Sequence, residues 1–197
     1  MGEEKSNMYF FLLSYPLLGA GLKYIDDAFD ERTFNKKIAL VLAPFIGILW
    51  AYTMIINPVS ATILLAIVTG VFIKGKIDNR AHIIGLVVIV LLLILFGVEL
   101  LWLPLIMLIA AAMLDEVGSD AIDYNCKSFD RNKFSHKVFI AFFDQRWITK
   151  LSVLYVVLVG LFPWYFFIAI LLFDGAYLVV RMYSRSQTKI NGIAMSI

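Results

Sequence analysis

The sequence predicts an all-α protein, a polytopic transmembrane helical bundle of about seven spans forming one domain over residues 1–197. Three observations carry this expectation. Of 197 residues, 61% are hydrophobic and 16% charged, against about 45–50% and about 25% in ordinary soluble domains, and the mean hydropathy is +0.86. The apolar runs Ile38–Ile56, Ala81–Val98 and Leu151–Val180 approach or exceed the roughly 20 residues a helix needs to cross hydrocarbon. All but one of the 17 Lys and Arg residues fall in segments that alternating spans would place on one side of the bilayer.

The first expected span is 8–22. The preceding Met-Gly-Glu-Glu-Lys lacks the basic start and small-residue cleavage site of a signal peptide, so the span is read as retained. Spans two and three, about 38–56 and 59–73, are joined by Asn57-Pro58, a tight turn without charge. Span four, about 81–97, turns at Gly97-Val98-Glu99 into span five, about 99–114. Spans six and seven, about 151–162 and 164–180, flank Pro163. Span six is short for a crossing, so the last two also read as one broken or reentrant hairpin. Between spans five and six, Asn125–Lys150 interleaves aromatic and basic residues, which fits an interfacial amphipathic helix or a lid over a cavity.

Seven alternating spans place Lys23 to Lys37, Lys74 to Arg80, Lys127 to Lys150 and Arg181 to Lys189 on one face and leave only Lys5 on the other. By the positive-inside rule the N-terminus is outside and the C-terminus cytoplasmic, in a cytoplasmic or inner membrane. The net charge of +2 offers no basic surface for nucleic acid. Cys126 is the single cysteine, which excludes an intrachain disulfide and any multi-cysteine metal site.

Two acidic clusters share the basic face. Asp26, Asp27 and Asp30 close span one, and on a helix Asp26 and Asp30 are one turn apart with Asp27 beside them. Asp115, Glu116, Asp120 and Asp123 follow span five, the last three at i, i+4 and i+7. Packed carboxylates repel unless a cation sits between them. Hard oxygen ligands suit Mg²⁺, whose coordination is completed by water and substrate phosphates, so two facing clusters could bracket a diphosphate. The alternative is that acids at span ends are simply solvated.

The clusters occupy matched places in a weak internal repeat. Gly19-Ala20-Gly21 precedes the first and Ala110-Ala111-Ala112 the second, and each cluster is followed by basic residues, a span, a Pro turn and a span. This divides the chain into two three-span halves with span four as linker, and repeated halves commonly share a site at their interface.

These residues resemble the UbiA superfamily of intramembrane prenyltransferases, as a shortened or divergent member. Asp26, Asp27 and Asp30 look like its first aspartate-rich motif, and Asp115, Glu116, Asp120 and Asp123 like its second. Lys74–Gly85 is similar to its basic loop. Leu22 stands where the family's first motif usually has Asn, and Ser119 interrupts the usual four-residue spacing of acids counted from Asp115. The resemblance implies Mg²⁺ held by both clusters, with Asp26, Asp30 and Asp120 catalytic. It also implies a prenyl diphosphate donor, a lipophilic acceptor and loss of diphosphate to give a carbocation-like centre. Lys23, Arg80 and Lys127 are candidate phosphate contacts because they share the clusters' face.

Asp174, in the last span, is costly there and should face the interior with a partner. It is expected to bind substrate, relay a proton or pair with a Tyr or an inward-reaching base. His82 and His136 are isolated and lack metal-ligand spacing. Walker A, HExxH, GxSxG and GxGxxG motifs are absent, which disfavours nucleotide motors, zinc proteases, serine hydrolases and Rossmann enzymes. Competing expectations are a small cation-coupled transporter or channel with Asp174 on the ion path, and a non-catalytic subunit of a membrane complex.

Overall fold

The computed structural model describes residues 2–31, 33–73, 79–124, 138, 140–143 and 145–194, without the side chains of 2–6, 120, 123, 124 and 188–194. Among the described residues the protein is helical and has no strand. Each of the seven apolar segments forms a helix: α1 Gly2–Phe29, α2 Lys36–Ile55, α3 Pro58–Ile73, α4 Arg80–Phe96, α5 Trp102–Tyr124, α6 Trp147–Leu158 and α7 Tyr165–Ala194. Segments of α1, α2, α5 and α7 are long and apolar enough to cross a membrane, whereas α3, α4 and α6 are shorter apolar helices.

Local chemistry explains the helix boundaries. Asn35 begins α2, its side chain accepting from the Lys37 amide at 2.9 Å. Asn57 accepts from the amides of Val59 at 2.9 Å and Ser60 at 3.1 Å. Pro58 occupies the first helical position of α3, where its missing N–H costs nothing. Asn79 caps α4 by accepting from the His82 amide at 2.9 Å. At the other end of α4, Gly97 adopts φ +76°, a conformation that disfavours a side chain. α5 begins at Trp102, a few residues later than the sequence predicts.

Helix contacts run in a ring: α1 on α2, α2 on α3, α3 on α5, α5 on α6, α6 on α7, and α7 back on α1, with α4 packed chiefly on the outside of α2. The α1–α7 contact is the most extensive and carries the core, where Phe11, Tyr15 and Leu18 meet Phe166, Ala169 and Phe173, all nearly inaccessible. Gly19 permits that approach, since a Cβ there would lie 2.1 Å from the Phe173 carbonyl oxygen. Small residues at such crossings are the usual device by which apolar helices pack without a hydrophobic driving force. Tyr15 Oη and Ser60 Oγ are 3.1 Å apart, so the buried phenol is satisfied by α3. Leu13, Leu17, Val41, Phe45, Ile94, Leu95, Leu103 and Ile106 face outward, the exposure expected of lipid-facing side chains.

At about 1.5 Å per residue α1 and α7 exceed 40 Å and α6 is about 18 Å. Charged residues of α1, α5 and α7, among them Lys23, Glu116, Arg181 and Arg185, line one cavity.

Candidate functional site

The ends of α1 and α5, the start of α6 and the middle of α7 enclose a polar cavity of about 230 Å³. Its wall includes Lys23 and Glu31 from α1, Asp115, Glu116 and Ser119 from α5, and Gln145 and Arg146 before α6. Lys150 from α6 and Asp174, Tyr177, Arg181 and Arg185 from α7 complete it. The α7 residues recur at i, i+3, i+7 and i+11, one face of a helix.

The first acidic cluster is tied into the fold. Asp27 is buried at 2% exposure and its Oδ1 lies 2.8 Å from Lys23 Nζ, one turn earlier. Its Oδ2 is buried and without a hydrogen-bond partner among the described residues. Asp26 Oδ2 accepts from Tyr177 Oη at 3.2 Å, and Asp26 Oδ1 lies 3.0 Å from His82 Nε2. The His82 ring is set by Asn79, whose Nδ2 is 2.7 Å from Nδ1. Lys23 also lies over the Tyr177 ring, 5.1 Å from its centroid. Asp30 is exposed just beyond the end of α1.

The second cluster works differently. Asp115 is 1% exposed. Its Oδ1 accepts from the Ile148 amide at 3.0 Å, and its Oδ2 from the Thr149 amide and hydroxyl, both at 2.8 Å. Arg146 at the start of α6 is left-handed, φ 53°, and makes no side-chain cap, so Asp115 supplies from α5 the cap that α6 lacks in its own sequence. A carboxylate at a helix N-terminus also complements the macrodipole. Glu116 accepts from the Arg146 guanidinium at 3.0 Å. Phe143 packs against α5 where Gly118 leaves room, its ring within 2.0 Å of where a Cβ would stand. Asp120 and Asp123 lie in α5, but their side chains are outside the described residues, as are Lys127, His136 and most of the 125–150 segment.

Asp174 has the inward-reaching base for which the sequence left room. Its Oδ2 is 2.6 Å from Lys150 Nζ, a lysine only 4% exposed. Lys150 also donates to the Gln145 carbonyl oxygen and lies 5.1 Å from the Trp147 ring centroid. Arg80 is exposed in the first turn of α4 and does not line the cavity.

The structure thus gathers Lys23, Asp115, Glu116 and Asp174 around one cavity, with Asp26 bonded to Tyr177 and Asp27 paired with Lys23. Tyr177, Arg146, Arg181 and Arg185 escaped sequence reasoning as site residues. The signal was present for α7, whose polar residues recur at helical spacing, but its arginines were already accounted for as topology. His82 looked isolated and proves to touch Asp26.

Among the described residues no three His, Cys, Asp or Glu side chains are grouped to hold a metal ion. The two clusters fit Mg²⁺ unequally. Asp27 retains one buried oxygen without a donor, the hard ligand Mg²⁺ takes, whereas both oxygens of Asp115 are committed to the start of α6. No protein-family model, curated protein or solved structure matches this chain.

Proposed function

We propose that the chain is an intramembrane prenyltransferase of the UbiA kind, which takes the diphosphate of a prenyl donor in the polar cavity and transfers the prenyl group to a lipophilic acceptor. One observation carries the reading. The helices bearing the two acidic clusters, far apart in sequence, end on a single cavity whose wall holds Lys23, Arg146, Lys150, Arg181 and Arg185.

Cations so placed would hold phosphate oxygens and stabilise the charge that gathers on the diphosphate as the allylic C–O bond breaks. Tyr177 would steady Asp26 and Lys23 at that wall. Mg²⁺, if it enters with the diphosphate, would be held from the Asp27 side and would add Lewis-acid charge to the same oxygens. Asp26 and Asp30 belong to that side of the site, and Asp120 to the α5 side. Asp115 acts in this reading as the residue that positions Arg146 and Lys150.

A bundle of seven spans with the N-terminus outside is part of the proposal. Its support is that each of the seven apolar segments forms a helix and that alternating spans would put all but one Lys or Arg on one side. The half-repeat draws support from the ring, in which α1–α3 and α5–α7 close on each other while α4 stands outside. The transporter reading loses its main ground, because Asp174 is paired with Lys150.

Thermal denaturation of the purified chain with geranyl diphosphate tests the proposal. Stabilisation is expected, greater with Mg²⁺ than without, and diminished in Arg185→Gln and Asp27→Asn. Indifference to geranyl and longer prenyl diphosphates, with and without Mg²⁺, would refute it.

A further inference from the structure

α2 and α4 pack as parallel neighbours with their starts together. A Cβ at Gly47 would meet Gly85 and Val88, one at Gly85 would meet the Ala43 carbonyl oxygen at 3.5 Å, and Ala39, Ala43 and Ala81 share one buried cluster. Each helix also carries an exposed stripe headed by a cation. On α2 the stripe is Lys37, Val41, Ile48 and Tyr52, and on α4 it is Arg80, Ile84, Val87, Leu91 and Ile94, both at helical spacing. Six aliphatic side chains between Leu86 and Leu95 line an open groove of about 520 Å³ on α4. Arg80 and Ile94 are about 21 Å apart along the helix axis, enough to cover one leaflet's half of the roughly 30 Å hydrocarbon core.

What complements this face is apolar along its length and anionic at one end. Neither helix contains an acidic residue, and neither Lys37 nor Arg80 has an ion-pair partner among the described residues. A second copy seated here about a two-fold axis would set cation against cation, a juxtaposition that disfavours the contact. An anionic phospholipid meets both demands, since basic residues beside a span attract such headgroups. We infer that the outer face of α2 and α4 binds one anionic phospholipid, its phosphate held by Lys37 and Arg80 and an acyl chain lying in the α4 groove. The Arg80 guanidinium offers a planar fork to two phosphate oxygens, and Lys37 adds a point charge. Arg80 thus keeps the phosphate contact expected from the sequence, but on a lipid rather than in the polar cavity, which it does not line. The site goes beyond the transfer reaction and does not depend on it.

Native mass spectrometry of the full-length chain, released from micelles doped equally with dioleoyl phosphatidylglycerol and dioleoyl phosphatidylcholine, counts the lipids that stay bound. One phosphatidylglycerol per chain is expected, without phosphatidylcholine, and sn-glycerol 3-phosphate, the head without chains, should not be retained. The double variant Lys37→Gln, Arg80→Gln, at two exposed positions, should lose the lipid, Leu91→Trp, which fills the groove, should retain severalfold less, and Lys5→Gln should keep it. Equal retention of both lipids, retention of glycerol phosphate, undiminished phosphatidylglycerol on the double variant, or its displacement by inorganic diphosphate, which would put the lipid in the polar cavity, would overturn the inference. A lipid retained by a protein indifferent to prenyl diphosphates would leave this site standing without the transfer reaction, so the two readings fail separately.

Discussion

Lys150 Nζ and Asp174 Oδ2 meet at 2.6 Å, joining α6 to α7 through a buried lysine and an aspartate that also lines the polar cavity. Removing Asp174 leaves Lys150 buried and uncompensated, at a cost of about 3–5 kcal/mol, and removing Lys150 leaves a partly exposed carboxylate at a smaller cost. Asp174→Leu is expected to lower the unfolding temperature strongly and Lys150→Met less, and the double variant to recover much of the loss. Unfolding in detergent measures this. Additive losses would show that the two residues are not coupled.

Asp115 holds the first amides of α6, so Asp115→Ala should free the Ile148 and Thr149 N–H groups. The expected loss is about 1–2 kcal/mol, as for other helix caps, and Asp115→Asn, which keeps one acceptor oxygen, should lose less. Hydrogen exchange localises the effect. Faster exchange at 148 and 149 in the alanine variant, with α1 and α7 unchanged, is the expected pattern.

Two glycines of the α1–α7 pair should respond oppositely to alanine. Gly19→Ala drives a methyl into the Phe173 carbonyl and must part the helices, costing roughly 1–3 kcal/mol or more. At Gly175 a Cβ would meet nothing within 4 Å, so Gly175→Ala should be neutral or stabilising by up to about 1 kcal/mol through helix propensity. Thermal unfolding of the two variants side by side gives the comparison.

The number of crossings can be read from parity. Seven spans put the termini on opposite sides of the membrane, and four put them on the same side. In a Cys126→Ser background, Ser6→Cys and Ser196→Cys are to be labelled with an impermeant maleimide on intact cells. Labelling of Ser6→Cys alone is expected, and equal labelling of both would refute seven spans with the N-terminus outside.

The helices were legible because lipid constrains sequence more tightly than water does. An apolar run bounded by Asn57-Pro58 or Gly97 leaves the backbone few alternatives to a helix that starts or stops there. The cavity was only half legible. Asp27 and Lys23 are one turn apart on α1, and helical spacing alone brings them together. The hold of Asp115 on Ile148 and Thr149 spans more than thirty residues, and nothing local announces it. His82 meets Asp26 because the start of α4 comes beside the end of α1, a juxtaposition that belongs to helix packing. An acidic residue after an apolar run thus looks the same whether it binds a ligand or caps a neighbouring helix.

The anchoring of α6 has a consequence for depth. Asp115 stands nine residues before the end of α5 at Tyr124, about 13 Å along the axis, so α6 begins well inside the level at which its neighbour stops. The Lys150–Asp174 pair is accordingly recessed, in a vestibule where the effective permittivity is lower than at the surface and attraction between charges is correspondingly stronger. Mobile ions screen exposed charges over a Debye length of about 8 Å at physiological ionic strength, and recessed ones much less. An anion drawn into that vestibule should therefore keep most of its affinity when salt is raised, whereas one held at the rim by Arg185 alone should lose it.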